Sequence, residues 1–169
     1  MGITSLAWHE NHHRPPLKPH GPHPTSVLSY ARKVSVNPVE MIDTYLQLYE
    51  DRKLSEASQF LAADVELIFP GERRYSSLAD VVAAARNRYA WVRKSRDEYI
   101  HAERSASDSS AEHVVTSIGT LYGEKVDGQP FEGIRYVDIF TIRNGLIAEQ
   151  RVWNDLAEVG IMFPDEPTK

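Results

Sequence analysis

The sequence has no cysteine, which excludes disulfides, thiolate metal sites and cysteine nucleophiles. It has no apolar run near the ~18 residues a membrane-spanning helix needs. Its first residues, MGITSLAWHENHH, lack the basic start and apolar core of a secretory signal. Leu6 stands where a myristoylation pattern requires Ser or Thr. There is no glycine-rich loop to cradle a phosphate, and no stripe of Lys and Arg interleaved with aromatics. The expected compartment is a reducing cytoplasm, and neither nucleic acid nor a membrane is expected as a partner.

What is present fits one soluble globular domain. The 169 residues are 41% hydrophobic and 25% charged, enough for a core without covalent staples. The net charge of −5 is uneven. Arg14, Lys18, Arg32 and Lys33 outweigh Glu10 in the first 37 residues, so the acidity belongs to the remainder. Residues 9–24, HENHHRPPLKPHGPHP, hold five of the seven histidines and five of the ten prolines. Proline fixes φ and removes donors, so 1–36 reads as an extended arm, with Val27, Leu28 and Tyr30 as its anchors on the domain. His9, His12, His13, His20 and His23 could bind a metal adventitiously, but a polar tail is the simpler reading. The domain proper is expected over 37–162, and 163–169 reads as a flexible tail.

Asn37-Pro38-Val39-Glu40 predicts a helix start: an Asn cap, a proline at the first helical position and a capping-box Glu. That helix places Ile42, Tyr45, Leu46 and Tyr49 on one face. A short second helix is expected from Ser55 to near Asp64, then a strand over Val65–Phe69 stopped by Pro70-Gly71. In that strand Glu66 and Ile68 share a face. A third helix starts at Ser77-Leu78-Ala79-Asp80 and is expected to run to Val92, with Arg93, Lys94 and Arg96 at its C-terminal end, where positive charge suits the dipole. Strands are expected over about 98–105 and 112–123, separated by the polar turn 107–110.

The strongest local signal is Arg135 to Asp155, two strand-like runs joined at Asn144-Gly145, which suits a type I′ hairpin turn. Alternation puts Tyr136, Asp138 and Phe140 on one face and Val137 and Ile139 on the other. A carboxylate between two aromatics on the covered face is the anomaly. Helices first and antiparallel strands afterwards predict an α+β fold, a cone-shaped curved sheet closed by three helices around a pocket.

From about Asn37 to Ile161 the chain resembles the SnoaL-like branch of the nuclear transport factor two-like superfamily. The carriers are the helical pair before AADVELIFPG, the capped helix from Ser77, and RYVDIFTIRNGLIAEQRVWNDLAE. The family hosts isomerases, dehydratases, epoxide hydrolases, polyketide cyclases and binding proteins, so fold alone does not give function. The resemblance to ketosteroid isomerases puts their two oxyanion donors on Tyr45 and Asp138, but their base falls on Phe69, which cannot move a proton. The positions that limonene epoxide hydrolases need fall on Ile118, Thr120 and Val152, none of which can substitute. The resemblance to scytalone dehydratase implies a histidine at His101 and a Tyr-acid pair at Tyr49-Glu50, without that family's second catalytic histidine.

Two functions stay open. In one, Asp138, Tyr45 and His101 converge on a small apolar or aromatic metabolite and carry cofactor-free proton transfer of isomerase, cyclase or dehydratase type. Burial would raise the Asp138 pKa and let it donate alongside Tyr45, with His101 as proton carrier. Glu66 is the reserve base, and Phe69, Tyr122, Tyr136, Gln150, Val152 and Asn154 complete the binding wall. In the other, the protein is a non-enzymatic scaffold, Asp138 bonds a buried partner, Tyr45 is core, and His101 pairs with Glu103 or Asp97. No metal set and no cofactor are implied, His101 and His113 being far apart in the pattern. The outer sheet face, with Val115, Val137, Ile139 and Trp153, predicts a homodimer.

Overall fold

A computed structural model describes residues 37–105 and 111–162. The arm 1–36, the turn at 107–110 and the tail 163–169 lie outside the described residues, as do the expectations placed on them.

Helix α1 spans Pro38–Glu50 and starts as its sequence dictates. Asn37 Oδ1 accepts from the Val39 amide at 3.0 Å, and Pro38 occupies the first turn, where a missing N–H costs nothing. Glu40 meets the cap through its side chain, at 3.5 Å from Asn37 Nδ2, instead of closing a reciprocal box. The helix buries Met41, Ile42, Tyr45 and Leu46 and stops where Arg52 turns left-handed at φ 61°. Helix α2, Leu54–Ala57, passes through a 3-10 turn at Ser58–Phe60 into strand β1, Leu61–Phe69. The second helix is thus shorter than expected, because Leu61 already pairs with Ile147 across a bulge ahead of Glu66. Strand β2, Arg73–Tyr75, folds back on β1.

Helix α3 covers Leu78–Ala85, capped by Ser77 Oγ on the Asp80 amide at 3.2 Å. The expected run to Val92 is not formed. The Ala90 amide bonds the Glu124 carbonyl at 2.8 Å, and strand β3, Trp91–Ser105, begins at once. Tyr89 and Val92 look helically spaced because both pack on the same apolar cluster, around Leu121, Phe131, Tyr136, Leu156 and Ile161. Arg93, Lys94 and Arg96 are therefore strand residues. This correction matters most for the site.

Strands β4, Ala111–Glu124, β5, Pro130–Arg143, and β6, Leu146–Asn154, complete a six-stranded sheet of order β2-β1-β6-β5-β4-β3. Every pairing is antiparallel except β1 with β6. Asn144 at φ 53° and Gly145 at φ 77° form the turn the sequence specifies. The α+β expectation holds: the three helices precede most of a curved, mostly antiparallel sheet.

The inner face of the sheet carries Val115, Ser117, Gly119 and Leu121 on β4, opposite Phe140, Asp138, Tyr136 and Ile134 on β5. This reverses the sequence reading of β4. Val115 is fully buried in the core under α1 and does not belong to the outer face. Tyr122 is exposed and edges onto Trp91, ring centroids 6.0 Å apart. The inner positions are small for a physical reason. Ser117 Oγ hydrogen-bonds the Tyr136 hydroxyl at 2.9 Å, and a Cβ at Gly119 would stand 1.9 Å from the Ser95 carbonyl oxygen, beside the β3 bulge between Arg96 and Glu98.

Candidate functional site

A cavity of about 70 Å³ opens between the two apolar clusters. By this measure it holds a few waters or a small planar group, a single water needing about 10–15 Å³. Its wall includes Glu50 from the end of α1, Phe69 from β1, Lys94 from β3, and Gln150, Val152 and Asn154 from β6.

Asp138 is wholly buried behind this wall. Its Oδ2 receives the Lys94 ammonium and, at 3.4 Å, the Gln150 side-chain amide. Its Oδ1 has no hydrogen-bond partner among the described residues. Tyr45, also fully buried, donates its hydroxyl to Gln150 Oε1 at 2.8 Å. Tyr45, Gln150, Asp138 and Lys94 thus form one hydrogen-bonded chain, of which Gln150 and Lys94 reach the cavity. The Lys94 Nζ also stands 4.1 Å from the Tyr136 ring centroid, a cation over an electron-rich face.

Burial pushes the Asp138 carboxyl above its ordinary range, with Lys94 and Gln150 pulling the other way. Desolvation wins because the ion leaves water on all sides while a single cation compensates it. Burial likewise raises Glu50, against the Arg96 guanidinium on its Oε1 at 2.7 Å and the Lys94 backbone amide. The Tyr45 phenol is raised mainly by burial, and Tyr136 is pushed up to about 12, also mainly by burial.

The other expected residues divide. Phe69, Gln150, Val152 and Asn154 line the cavity, and Asn154 Oδ1 also accepts from the Leu156 amide at 3.3 Å. Tyr136 packs beneath Lys94. Glu66 does not face the cavity: Val65 and Leu67 take the inner parity of β1, and Glu66 pairs with Arg74 at 3.1 Å with its side chain 55% exposed. Tyr122 lies on the outer face. His101 is exposed on β3 and is not among the lining residues. Its Nε2 lies 3.2 Å from His113 Nδ1, so these two histidines do meet, contrary to the sequence pattern. Among the described residues no group of three His, Cys, Asp or Glu is placed to hold a metal ion. No described helix is long and apolar enough to cross a membrane.

Sequence reasoning missed Lys94. A strand begun at Trp91 puts Lys94 opposite Leu121 on β4, the strand that lies between Lys94 and Asp138. The sequence marks Glu50 only through its resemblance to a dehydratase Tyr-acid pair, and its cation, Arg96, comes from β3.

The model of the SnoaL-like domain matches residues 42–150. No curated protein matches the chain significantly. Among solved structures, a nuclear-transport-factor-two-like protein of unknown function from Burkholderia pseudomallei is 20% identical over 72% of this chain and 92% of its own, with a TM-score of 0.58. TerC co-crystallised with polyporic acid is 18% identical over 72% of this chain and 94% of its own, at a TM-score of 0.59. A protein from Shewanella putrefaciens described as a SnoaL-like polyketide cyclase is 12% identical, covering 76% and 87%, at 0.55. These likenesses establish the fold.

Proposed function

The chain belongs to the SnoaL-like domain family, and from that premise we propose that its cavity binds a small, largely apolar or aromatic metabolite and moves a proton within it. The reaction is of isomerase or cyclase type and needs no cofactor. The observation that carries this reading is the Lys94–Asp138 pair at the cavity wall. Lys94 Nζ is the donor to an oxygen on which charge develops, an interaction strengthened by exclusion of water. Glu50, whose carboxyl is raised by burial and which lines the same cavity, is the base. Asp138 keeps the ammonium in place, Gln150 holds Asp138, and Tyr45 holds Gln150; these three are positioning residues. This differs from the donor roles that the isomerase resemblance implies for Tyr45 and Asp138, since both lie one side chain behind the cavity surface. His101, exposed and bonded to His113, is left without a role in it. The neighbours co-crystallised with polyporic acid and described as a polyketide cyclase support this ligand class.

Proton transfer can be read without the natural substrate. Aromatic ketones incubated in D2O should gain deuterium beside the carbonyl faster with the protein than without. Glu50→Gln and Lys94→Met should each lower that rate by about 10²-fold or more. Equal exchange in all three proteins would contradict the assignment. The scaffold reading draws on the small cavity and on Phe69 where isomerases keep a base; ligand binding with no exchange would favour it. The outer face, with Trp153 49% exposed beside half-buried Val137 and Ile139, supports a homodimer. Sedimentation should show a dimer that Trp153→Glu dissociates, and a wild-type monomer would refute it.

A further inference from the structure

Asp43, Gln47 and Glu50 stand at i, i+4 and i+7 along α1, one stripe of its surface. A guanidinium from β3 lies along that stripe. Arg96 Nη2 donates to Glu50 Oε1 at 2.7 Å, and its Nη1 reaches Gln47 Oε1 at 3.4 Å and the Asp43 carboxylate at 3.6 Å. The two ends of the stripe differ. The Asp43 side chain is 52% exposed and also accepts the Tyr99 hydroxyl at 2.8 Å, whereas the Glu50 side chain is 6% exposed and that of Arg96 14%. The Glu50–Arg96 contact is the desolvated one, where a charge-assisted hydrogen bond is strongest.

The backbone of β3 is shaped around this contact. Its pairing with β4 shifts register between Arg96 and Glu98, at a bulge where Arg96 stands opposite Gly119. A Cβ at Gly119 would stand 1.9 Å from the Ser95 carbonyl oxygen, so only glycine lets the bulged strand come this close. A bulge beside a cavity re-aims a side chain. Here the side chain is Arg96, which does not line the cavity itself but stands behind Glu50, which does. Its Nε makes no hydrogen bond among the described residues, so the guanidinium is committed to α1 through its Nη atoms.

From this placement we propose that Arg96 is a positioning residue of the site: held behind Glu50 by the β3 bulge, it keeps that carboxylate ionised in the cavity wall and sets the acid limit of proton transfer. Burial drives Glu50 toward its neutral form, which cannot accept a proton, and Arg96 is the foremost group opposing it. Other charged and titratable groups surround Glu50. Tyr49, Asp51 and Arg52 adjoin it in the chain, and Lys94 on β3 bonds it through the backbone amide. Tyr136 faces it from β5, and Arg88, Tyr89 and Arg93 share the cavity wall. Lys94 answers Asp138 and Arg93 answers Asp51, so Arg96 is the cation whose shortest contact is the base. The proposal rests on the reading of Glu50 as the base and adds what governs the pH at which that base works.

The test is the pH profile of deuterium exchange into acetophenone, measured on the full chain. In the wild type the rate should fall on the acid side as Glu50 takes up a proton. Arg96→Gln should move that limb upward by about one pH unit or more, the effect of one nearby cation. Exchange on the acid side then drops about tenfold and recovers at higher pH. Arg96→Lys, which keeps the charge, should move the limb less. A limb that stays in place in Arg96→Gln, a rate that falls equally at every pH, or equal shifts in both variants overturns the proposal. NMR titration of the Glu50 carboxyl carbon reads the same quantity without turnover and should also move up in Arg96→Gln. If the carbon moves but no protein exchanges deuterium, Glu50 is not the base, while the hold of Arg96 on it stands. If the carbon does not move, the proposal falls whether or not exchange occurs. Should Arg96→Gln fail to fold, Asp43→Asn at the exposed end of the stripe reads the same charge. Freed of its second carboxylate, Arg96 should draw the Glu50 titration slightly down, and no movement there overturns the proposal.

Discussion

Asp138 and Glu112 are both carboxylates on the same sheet, and both hold cationic partners. They behave in opposite ways. Glu112, near the far end of β4, accepts from Arg143 Nε at 2.6 Å and from Arg104, whose side chains are 57% and 58% exposed. The Arg143 hydrogen bond, helped by Arg104, draws its pKa below the ordinary value despite partial desolvation. Asp138, with Lys94 and Gln150, is driven above it. Two differences set the sign: Asp138 is wholly buried with one cation, whereas Glu112 keeps two guanidiniums that are themselves half exposed. A half-solvated cation leaves its carboxylate ionised and inexpensive, whereas a buried one leaves a carboxylate that gains from a proton.

Replacing the cation should separate the two regions most sharply. Lys94→Met strands Asp138 without a charge partner and should cost about 3–5 kcal/mol in urea unfolding. The loss should shrink at acid pH, where Asp138 takes up a proton. A cost below about 1 kcal/mol would show that Lys94 and Asp138 are solvated like a surface pair. Asp138→Asn, which keeps the shape and leaves Lys94 near the cavity, should cost about 1–3 kcal/mol. At the other region, Glu112→Gln should cost no more than about 1 kcal/mol and fade in high salt, because its partners are half exposed.

The pH dependence has two signs. Asp138 and Glu50 have raised folded values, so their contribution is full below the unfolded carboxylate pKa and is lost as pH rises through the folded one. Glu112 has a lowered folded value, so its contribution is present above the unfolded pKa and is lost as pH falls through the folded one. Unfolding midpoints measured across mildly acidic pH should lose the Glu50 share of the first slope in Glu50→Gln, Asp138 keeping the rest, and should lose the second slope in Glu112→Gln. Identical slopes in both variants would contradict the contrast.

The same contrast marks what a reader could take from the sequence. The hairpin was legible because alternation and Asn144-Gly145 agree, and an acid between Tyr136 and Phe140 is conspicuous on a covered face. Its partner was not legible. Arg93, Lys94 and Arg96 look like a helix end, and only the pairing of Trp91 with Glu124 turns them into a strand that carries Lys94 over Tyr136. The parity of β4 was hidden for a related reason. Ser117 and Gly119 face inward because Tyr136 and the β3 bulge fill the space, while Ile118 and Tyr122 face out. Local pattern records the strand; tertiary crowding chooses the face. His101 and His113 met for the same reason, through a register that spacing does not encode.

The titration of the Asp138 carboxyl carbon by NMR asks the plainest question of the site. It should titrate above the ordinary aspartate range in the wild type and move higher still in Lys94→Met. A wild-type value at or below the ordinary range, unmoved by Lys94→Met, would mean that Asp138 is neither desolvated nor held by Lys94, and the proton-transfer site built on that pair would fall with it.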